Sequence, residues 1–294
     1  MIILITGASS GFGMQLSKNL AVRGHQVYAG IRATEGRNQE ACEALLNFSQ
    51  GLEGKITPVD MDVSDTSSVN CAMQQILTVS NNQLDVVINN AGTYLAGITE
   101  TFSVSQLQAL FNTNTFGAFR VIKSVLPLFR EQKRGTIINI SSALANLTLP
   151  ANGLYLASKS ALERITESFA LELAPLGIET LLVEPGSFNT GIIEKNKQPD
   201  DIAHISSYKS VLGELEKMKE TYMPLVEKSF RSSTPHLVAN NIAELLELPS
   251  GKKPFRTVID PSLLGEHVKN FNHAKQSIHN KLLIELNLEN MATL

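Results

Sequence analysis

Three side chains of this sequence have the types and the spacing of an acid–base site. Tyr155 and Lys159 are four residues apart, so on a helix they lie on one face, one turn apart. An ammonium group beside a phenol stabilises the phenolate, which predicts a Tyr155 pKa lowered from about 10 towards neutrality. Such a tyrosine can exchange a proton with a small oxygen substrate. Ser142, upstream, offers a hydroxyl that could hold the same oxygen, although a half-buried tyrosine beside a surface lysine would also give this spacing.

The start of the chain predicts how a cofactor would be positioned. Residues 1–5 are a short apolar, β-branched run that is typical of a buried strand. A glycine-rich turn follows and leads into a predicted helix over 12–23. In this setting glycines allow a pyrophosphate to approach the backbone, and the helix N-terminus supplies N–H groups and a positive dipole. The alternative is a plain strand-to-helix turn. The predicted cofactor contacts here are Gly7, Ser9, Ser10, Gly11, Phe12 and Gly13.

Together, these features resemble the short-chain dehydrogenase/reductase family, whose further motifs follow in order. Residues 89–92 match its N-N-A-G strand end, Asn114 its helix asparagine and residues 185–190 its P-G-x-x-x-T segment. The resemblance covers roughly residues 1–190 motif by motif and fades afterwards. Within the family, the chain is most similar to extended members that act on steroid, retinol and other apolar carbonyls or alcohols. The further cofactor contacts that the resemblance implies are Asn90, Ala91, Gly92, Tyr155, Lys159, Pro185, Gly186 and Thr190.

The resemblance implies catalytic roles for four residues. Ser142, Tyr155 and Lys159 match the family's catalytic serine, tyrosine and lysine. The family spacing favours Ser142 over Ser141, which strand alternation places on the opposite side. Tyr155 would be the general acid/base, Ser142 would stabilise charge on the substrate oxygen, and Lys159 would also hold the nicotinamide ribose. Asn114 would anchor a water that links Lys159 to solvent; the alternative is a structural asparagine that bridges helix backbone.

The end of the second predicted strand bears on the choice of cofactor. A site that prefers NAD places an acid there, whereas this chain has Ile31 followed by Arg32. An arginine can pair with a 2′-phosphate, so NADP(H) is predicted to be preferred, with NAD(H) as the alternative. Arg32 could instead be a solvated loop residue, and Arg37 could assist it.

After the third predicted strand, Asp62 and Val63 match the family's contact with the adenine end of the cofactor. A turn or helix-cap aspartate is the alternative interpretation, because Asp60 and Asp65 lie close by.

Strands and helices alternate along the chain. Predicted strands span 1–5, 26–31, 56–60, 86–89, 136–141, 179–183 and 257–259; predicted helices span 12–23, 67–80, 103–130, 153–175 and 235–247. This order predicts an α/β, Rossmann-type doubly wound parallel sheet of seven strands with helices on both faces, in one domain over 1–294.

Two apolar groups bear on a substrate. One lies on loops at the carboxyl ends of strands and suggests an apolar pocket, with ordinary packing as the alternative: Tyr94, Leu144, Leu147, Leu149, Phe188 and Ile192. The other is a helical stripe in the insertion 191–230 that suggests a substrate lid, with a surface helix as the alternative: Leu212, Leu215, Met218, Tyr222 and Leu225. The tail 265–294 is predicted to hold one or two polar helices.

Composition narrows the function classes. With 294 residues, 43% of them hydrophobic and 18% charged, the chain suits a soluble α/β protein. A net charge of −3 argues against nucleic-acid binding, and no apolar stretch reaches the length of a membrane span. Cys42 and Cys71 are too few for a disulfide framework, and the histidines lack metal-ligand spacing, so no metal is predicted. A strand that begins at Met1 leaves no room for a signal peptide, which favours the cytoplasm.

Two other functions are also compatible with the sequence. The chain could be a catalytically silent NADP(H)-binding regulator or sensor, although all four catalytic-type residues are present. It could also be an S-adenosylmethionine methyltransferase, which shares the glycine-rich loop but does not require the serine, tyrosine and lysine.

Overall fold

The centre of the molecule is a parallel seven-stranded sheet. The computed structural model describes residues 1–232, 234–288 and 291. Its strands are β1 (Ile2–Thr6), β2 (Gln26–Ile31), β3 (Lys55–Asp60), β4 (Val86–Asn89), β5 (Gly135–Ile140), β6 (Ile178–Pro185) and β7 (Arg256–Ile259). They lie in the order β3-β2-β1-β4-β5-β6-β7, and every neighbouring pair is parallel.

Helices cover both faces of the sheet. They are α1 (Gly11–Val22), α2 (Gln39–Phe48), α3 (Thr66–Val79), α4 (Val104–Asn114), α5 (Phe116–Gln132), α6 (Gly153–Leu173), α7 (Lys209–Ser232), α8 (Pro235–Glu247) and α9 (Leu263–Glu285). Because side chains alternate along a strand, Ile3 and Ile5 of β1 face one core with α1, α2 and α8, while Leu4 faces a second core with α3 and α5. The predicted seven-stranded, doubly wound fold is confirmed.

Two helices differ from those predicted. The helix predicted over 103–130 is divided into α4 and α5 at Thr115, whose hydroxyl donates to the Ser158 carbonyl of α6 at 2.9 Å. This tertiary contact holds the chain at the break. Pro127 lies inside α5. Helix α2 is not among the predicted helices, and it buries only Cys42 and Leu45, which is a thin apolar pattern.

The insertion and the tail are both partly helical. Residues 191–208 run mostly without regular structure before α7 begins, and Leu215 of the predicted stripe is buried. The side chains of Tyr222 and Leu225 lie outside the described residues. The tail forms the single helix α9, which buries Val268, Asn272 and Leu283. Within the described ranges, no helix is both long and apolar enough to cross a membrane.

Candidate active site

The candidate site lies at the carboxyl ends of β1 and β4, where the strand order reverses. Open α/β sheets bind ligands in the crevice at this point. The Thr6 hydroxyl accepts hydrogen bonds from the backbone N–H groups of Asn90 and Ala91, each at 3.1 Å. The Asn90 side-chain amide donates to the carbonyls of Thr6 and Gly7, at 2.9 and 3.1 Å. The end of β4 is therefore fastened to the glycine-rich turn.

The glycines of this turn are required by its shape. Gly7 and Gly11 have φ values of +66° and +55°, which residues with a side chain rarely adopt. A Cβ on Gly7 would lie 2.7 Å from the Ala91 Cα, and one on Gly13 would lie 2.4 Å from the Gly7 carbonyl oxygen. A Cβ on Gly11 would lie 3.0 Å from Thr190. The turn therefore brings the predicted residues of β4 and of the 185–190 segment to the start of α1.

The N-terminus of α1 suits a dinucleotide phosphate. Ser10 is the N-cap residue but makes no side-chain cap hydrogen bond, and the first turn of α1 carries no acidic residue. A helix start of this kind offers N–H groups and a positive dipole to an anion. The ring of Phe12, a residue predicted to contact cofactor, packs edge-on against the buried Phe188, with centroids 5.4 Å apart. For Phe188 ordinary packing is therefore the correct interpretation, rather than a place in the substrate pocket.

Tyr155 meets the Ser142 hydroxyl at the edge of the crevice. It lies in the first turn of α6, is half-buried, and forms a hydrogen bond with Ser142. The Tyr94 ring packs edge-on against it, with centroids 4.9 Å apart. Burial and then the nearby Tyr94 raise the pKa of Tyr155 above its ordinary value, and the Ser142 hydrogen bond opposes this only in part. The predicted lowering of this pKa is wrong, because burial dominates.

Lys159 lies one turn further along α6 and is only 4% exposed. Its Nζ donates to the Ile140 carbonyl at the end of β5 at 2.8 Å. Burial lowers the pKa of Lys159 to about 8, while the charge of Glu163 opposes that shift. A Cβ placed on Gly92 would lie 3.6 Å from Nζ, so the lysine borders the crevice beside the β4 loop.

The two adjacent serines point to different sides. Ser142 meets Tyr155, whereas the Ser141 hydroxyl donates to the buried Glu163 carboxylate at 2.8 Å. This is the arrangement that strand alternation predicts for neighbouring residues.

Asn114 is the last residue of α4 and joins three segments. Its side-chain oxygen accepts from the Thr93 N–H at 2.8 Å, and its nitrogen donates to the Thr93 carbonyl at 2.9 Å and to the Ser158 hydroxyl at 3.0 Å. The side chain thus bridges the loop after β4 to α6, which agrees with the alternative interpretation of Asn114 as a structural residue. A Cβ placed on Gly92 would lie 3.5 Å from the Asn114 side-chain oxygen and 3.6 Å from the Lys159 Nζ, so all three residues meet at this loop.

The predicted adenine end gathers three charged residues. Arg32 and Arg37 are exposed after β2. Burial opposes ionisation of Asp62, but hydrogen bonds from Ser64 and the charges of Arg32 and Arg37 outweigh it and lower the pKa of Asp62. The two arginines therefore lie close to the loop after β3. Val63 is buried in the second core rather than open to the crevice.

At the end of β6, two further predicted cofactor residues are held by backbone hydrogen bonds. The Pro185 carbonyl accepts from the Ala143 N–H at 2.8 Å, and the Gly186 N–H donates to the Ile259 carbonyl at 3.0 Å. These bonds fix the start of the 185–190 segment against the loop after β5 and the end of β7.

A segment that we call the strap, residues 191–208, crosses the site. Asn196 exchanges two hydrogen bonds with the backbone of Ala96, each at 3.0 Å. Asp200 accepts from the Ser103 hydroxyl at 2.8 Å. At its other end, the Lys195 ammonium donates to the Ser10 hydroxyl of the glycine-rich turn at 3.0 Å. The strap therefore touches both the cofactor-side turn and the loop after β4.

Sequence reasoning missed Lys195, Asn196 and Glu163. The first two carry no local pattern, because their partners lie far away along the chain. Glu163 had a signal: it follows Lys159 by four residues, the spacing that puts two side chains on one helix face.

Two relatives of known name are similar over much of the chain. The 3-ketodihydrosphingosine reductase of Bacteroides thetaiotaomicron is 34% identical over 264 residues, which cover 88% of this chain and 88% of that protein. Human retinol dehydrogenase 8 is 37% identical over 187 residues, covering 63% of this chain and 58% of that protein.

Two solved structures are also similar to the chain over most of its length. A short-chain dehydrogenase from Streptomyces avermitilis superposes with a TM-score of 0.74 at 25% identity, covering 98% of this chain and 99% of that one. A gluconate 5-dehydrogenase from Burkholderia cenocepacia, solved with NADP and tartrate, has a TM-score of 0.59 at 27% identity over 65% of this chain and 72% of that one. The model of the short chain dehydrogenase family matches residues 1–201. The chain therefore belongs to the short-chain dehydrogenase family of oxidoreductases.

Proposed function

We propose that the protein is an NADP(H)-dependent oxidoreductase that interconverts an apolar ketone or aldehyde and the corresponding alcohol. The observation that carries this proposal is the hydrogen-bonded pair of Ser142 and Tyr155 hydroxyls at the edge of the crevice. The glycine-rich turn and the uncapped start of α1 lie in the same crevice and fit a dinucleotide phosphate.

Each residue of the site has a defined task in this proposal. The bound cofactor supplies the hydride. In the direction of reduction, Tyr155 gives its proton to the carbonyl oxygen and regains one from solvent. Ser142 donates a hydrogen bond to that oxygen and stabilises its developing negative charge. Lys159 holds the nicotinamide ribose beside Gly92, and Asn114 keeps the loop after β4 in place. A phenol with a raised pKa stays protonated at neutral pH, which suits proton donation.

The cofactor preference is supported by the charges after β2. Arg32 and Arg37 present two cations where an acid would favour NAD. Asp62, whose pKa their charges help to lower, already accepts hydrogen bonds from the Ser64 N–H and hydroxyl at 2.9 and 2.6 Å. The two guanidinium groups therefore remain available to a 2′-phosphate.

Arg32→Ala is expected to weaken NADPH binding about tenfold or more and to leave NADH binding almost unchanged. The variant loses a charge-assisted contact that is worth about 1.5–3 kcal/mol, and only NADPH carries the phosphate. Dissociation constants for both cofactors, measured at one ionic strength, check this. Arg130→Ala, which removes an exposed arginine from the end of α5, is the matched control. A wild-type protein that prefers NADH would contradict the assignment of the β2 end.

The substrate class is supported by the side chains around Tyr155. Tyr94, Leu144, Leu149 and Ile192 are all half-buried on the loops that border the crevice. The names of two relatives, a retinol dehydrogenase and a 3-ketodihydrosphingosine reductase, agree with an apolar carbonyl or alcohol. Initial rates of NADPH oxidation with carbonyls of increasing alkyl length test this proposal, and equal rates for small polar carbonyls would contradict it.

We also propose that the insertion 191–230 acts as a lid, with the strap as the part that closes. Its hydrogen bonds to Ala96 and to Ser103 hold it over the side of the crevice that carries Tyr94 and Tyr155. A closed lid keeps water from the reacting atoms.

Asn196→Ala is expected to raise the KM for an apolar substrate about tenfold, with a smaller change in cofactor affinity. The variant loses both hydrogen bonds to Ala96, each worth about 0.5–1.5 kcal/mol. Lys197→Ala, an exposed neighbour on the strap, is the matched control. An unchanged KM would remove the strap from the substrate side of the site.

We propose a homodimer or homotetramer, as the family resemblance implies, and a location in the cytoplasm. Phe116 and Phe119 support assembly, because they leave 49% and 38% of their surface exposed on α5.

A further inference from the structure

A buried carboxylate lies directly behind Lys159. Glu163 follows it by one turn of α6 and is 0% exposed. Its carboxylate accepts hydrogen bonds from the Ser141 hydroxyl at 2.8 Å and the Asn146 amide at 2.7 Å, and it pairs with Arg256 at 2.9 Å. One side chain thus ties the helix that carries Lys159 to the loop after β5 and to β7.

A second buried carboxyl group contacts the same arginine as Glu163. Glu184 of β6 is 1% exposed and pairs with the same guanidinium nitrogen of Arg256 as Glu163 does. Two buried carboxylates on one guanidinium nitrogen repel each other, which favours a proton on one of them. Burial and then the charge of Glu163 raise the pKa of Glu184 to about 7, against the opposing effects of Arg256 and of a hydrogen bond from Asn272 of α9.

The charge of this cluster depends on that proton. With it, one carboxylate balances Arg256; without it, the buried cluster carries one excess negative charge. The other charges at the cluster are more exposed: Arg164 and Glu167 on α6, and Lys275 on α9, with Glu167 pairing with Arg164, Lys275 and Arg256. Tyr155, which lies on the other side of Lys159, is neutral at ordinary pH because its pKa is raised.

Lys159 is the nearest buried cation on the same helix. Its Nζ donates a hydrogen bond to a neutral acceptor, the Ile140 carbonyl, so the electrostatic stabilisation of its charge acts through space. Burial lowers the pKa of Lys159 to about 8, and Glu163 is the group that opposes this loss. Charges a turn apart on a helix in a buried setting interact strongly, because little water screens them.

We propose that Glu163 is a positioning residue that keeps Lys159 charged, and that Glu184, which shares Arg256 with it, adjusts the strength of this support. The inference deepens the proposed function, on which the role of Lys159 in cofactor binding rests. The electrostatic link itself requires neither cofactor nor substrate.

The test follows the protonation of Lys159 by its reactivity. An unprotonated amine reacts with acetic anhydride and an ammonium does not, so the labelling rate of Lys159, read by peptide mass spectrometry across pH, reports its charge. In Glu163→Gln, we expect this rate at neutral pH to rise severalfold, towards the limit of about tenfold that a wild-type pKa of about 8 sets, because the free amine appears at lower pH. Glu167→Gln, which also pairs with Arg256 but lies two turns from Lys159 and is more exposed, should leave the rate unchanged.

Glu184→Gln gives a second, independent signature. At about pH 6, where Glu184 of the wild type keeps its proton, we expect the variant and the wild type to be labelled at the same rate. At about pH 8, where Glu184 of the wild type is ionised, we expect Lys159 of the variant to be labelled faster than that of the wild type. This variant also covers the case in which Glu163→Gln fails to fold. Equal rates in Glu163→Gln and Glu167→Gln, or a Glu184→Gln profile that matches the wild type at every pH, would overturn the proposal. Because labelling is measured on the free protein, a lack of turnover with any carbonyl would count against the proposed function only.

Discussion

Tyr155→Phe is expected to reduce kcat by about 10²–10⁴-fold while leaving the dissociation constant for NADPH nearly unchanged. The substitution removes only the phenol hydroxyl, which meets Ser142 at the edge of the crevice, so the loss falls on proton transfer. Steady-state rates together with cofactor titration by fluorescence check both parts. Tyr28→Phe, which removes a hydroxyl from a tyrosine packed in the second core, is the matched control.

The direction of the Tyr155 pKa adds a pH dependence to this expectation. A raised pKa keeps the phenol protonated through the neutral range, so ionisation of Tyr155 should not slow carbonyl reduction there. Alcohol oxidation needs the phenolate and should therefore accelerate as pH rises. Substantial turnover by Tyr155→Phe in either direction would remove Tyr155 from the acid–base role.

Lys159→Ala is expected to reduce turnover about 10²-fold and to weaken NADPH binding about tenfold or more. The variant loses the proposed ribose contact, a charge-assisted hydrogen bond that is worth about 1.5–3 kcal/mol. It also loses the buried cation beside the crevice. Because Lys159 is charged below its pKa of about 8, wild-type affinity should fall as pH rises through that value, and the variant should lose this dependence. Lys123→Ala, which removes an exposed lysine from α5, serves as the control. An NADPH dissociation constant equal to that of the wild type at every pH would refute the ribose contact.

The fold could be predicted because its determinants are local. The strands at 2–6 and 86–89 are apolar and β-branched, and the turn that starts at Gly7 is rich in glycine, so alternation and turn chemistry point to the same parallel sheet. The break at Thr115 could not be predicted in this way, because it depends on a hydrogen bond to Ser158 in another helix.

In the candidate site, too, the features set by local sequence could be predicted, and those set by long-range contacts could not. Motif order predicted that Ser142, Tyr155 and Lys159 come from neighbouring elements, and the structure places Ser142 against Tyr155. The predicted direction of the Tyr155 pKa shift was wrong. The shift depends mainly on burial of the phenol, and the spacing of residues within one helix carries no information about burial. The partner of Glu163, Arg256, lies 93 residues further along the chain, so only the folded sheet brings the two together.

The most direct test of the proposed function follows the hydride itself. Purified protein would be supplied with NADPH deuterated at the transferable position of the nicotinamide and with a long-chain apolar ketone, and the alcohol would be analysed by mass spectrometry. We expect the alcohol to carry one deuterium at the former carbonyl carbon, with the same product formed far more slowly from deuterated NADH and by Tyr155→Phe. NADPH that binds tightly while no apolar carbonyl gains deuterium would contradict the proposal and favour a catalytically silent NADP(H)-binding protein.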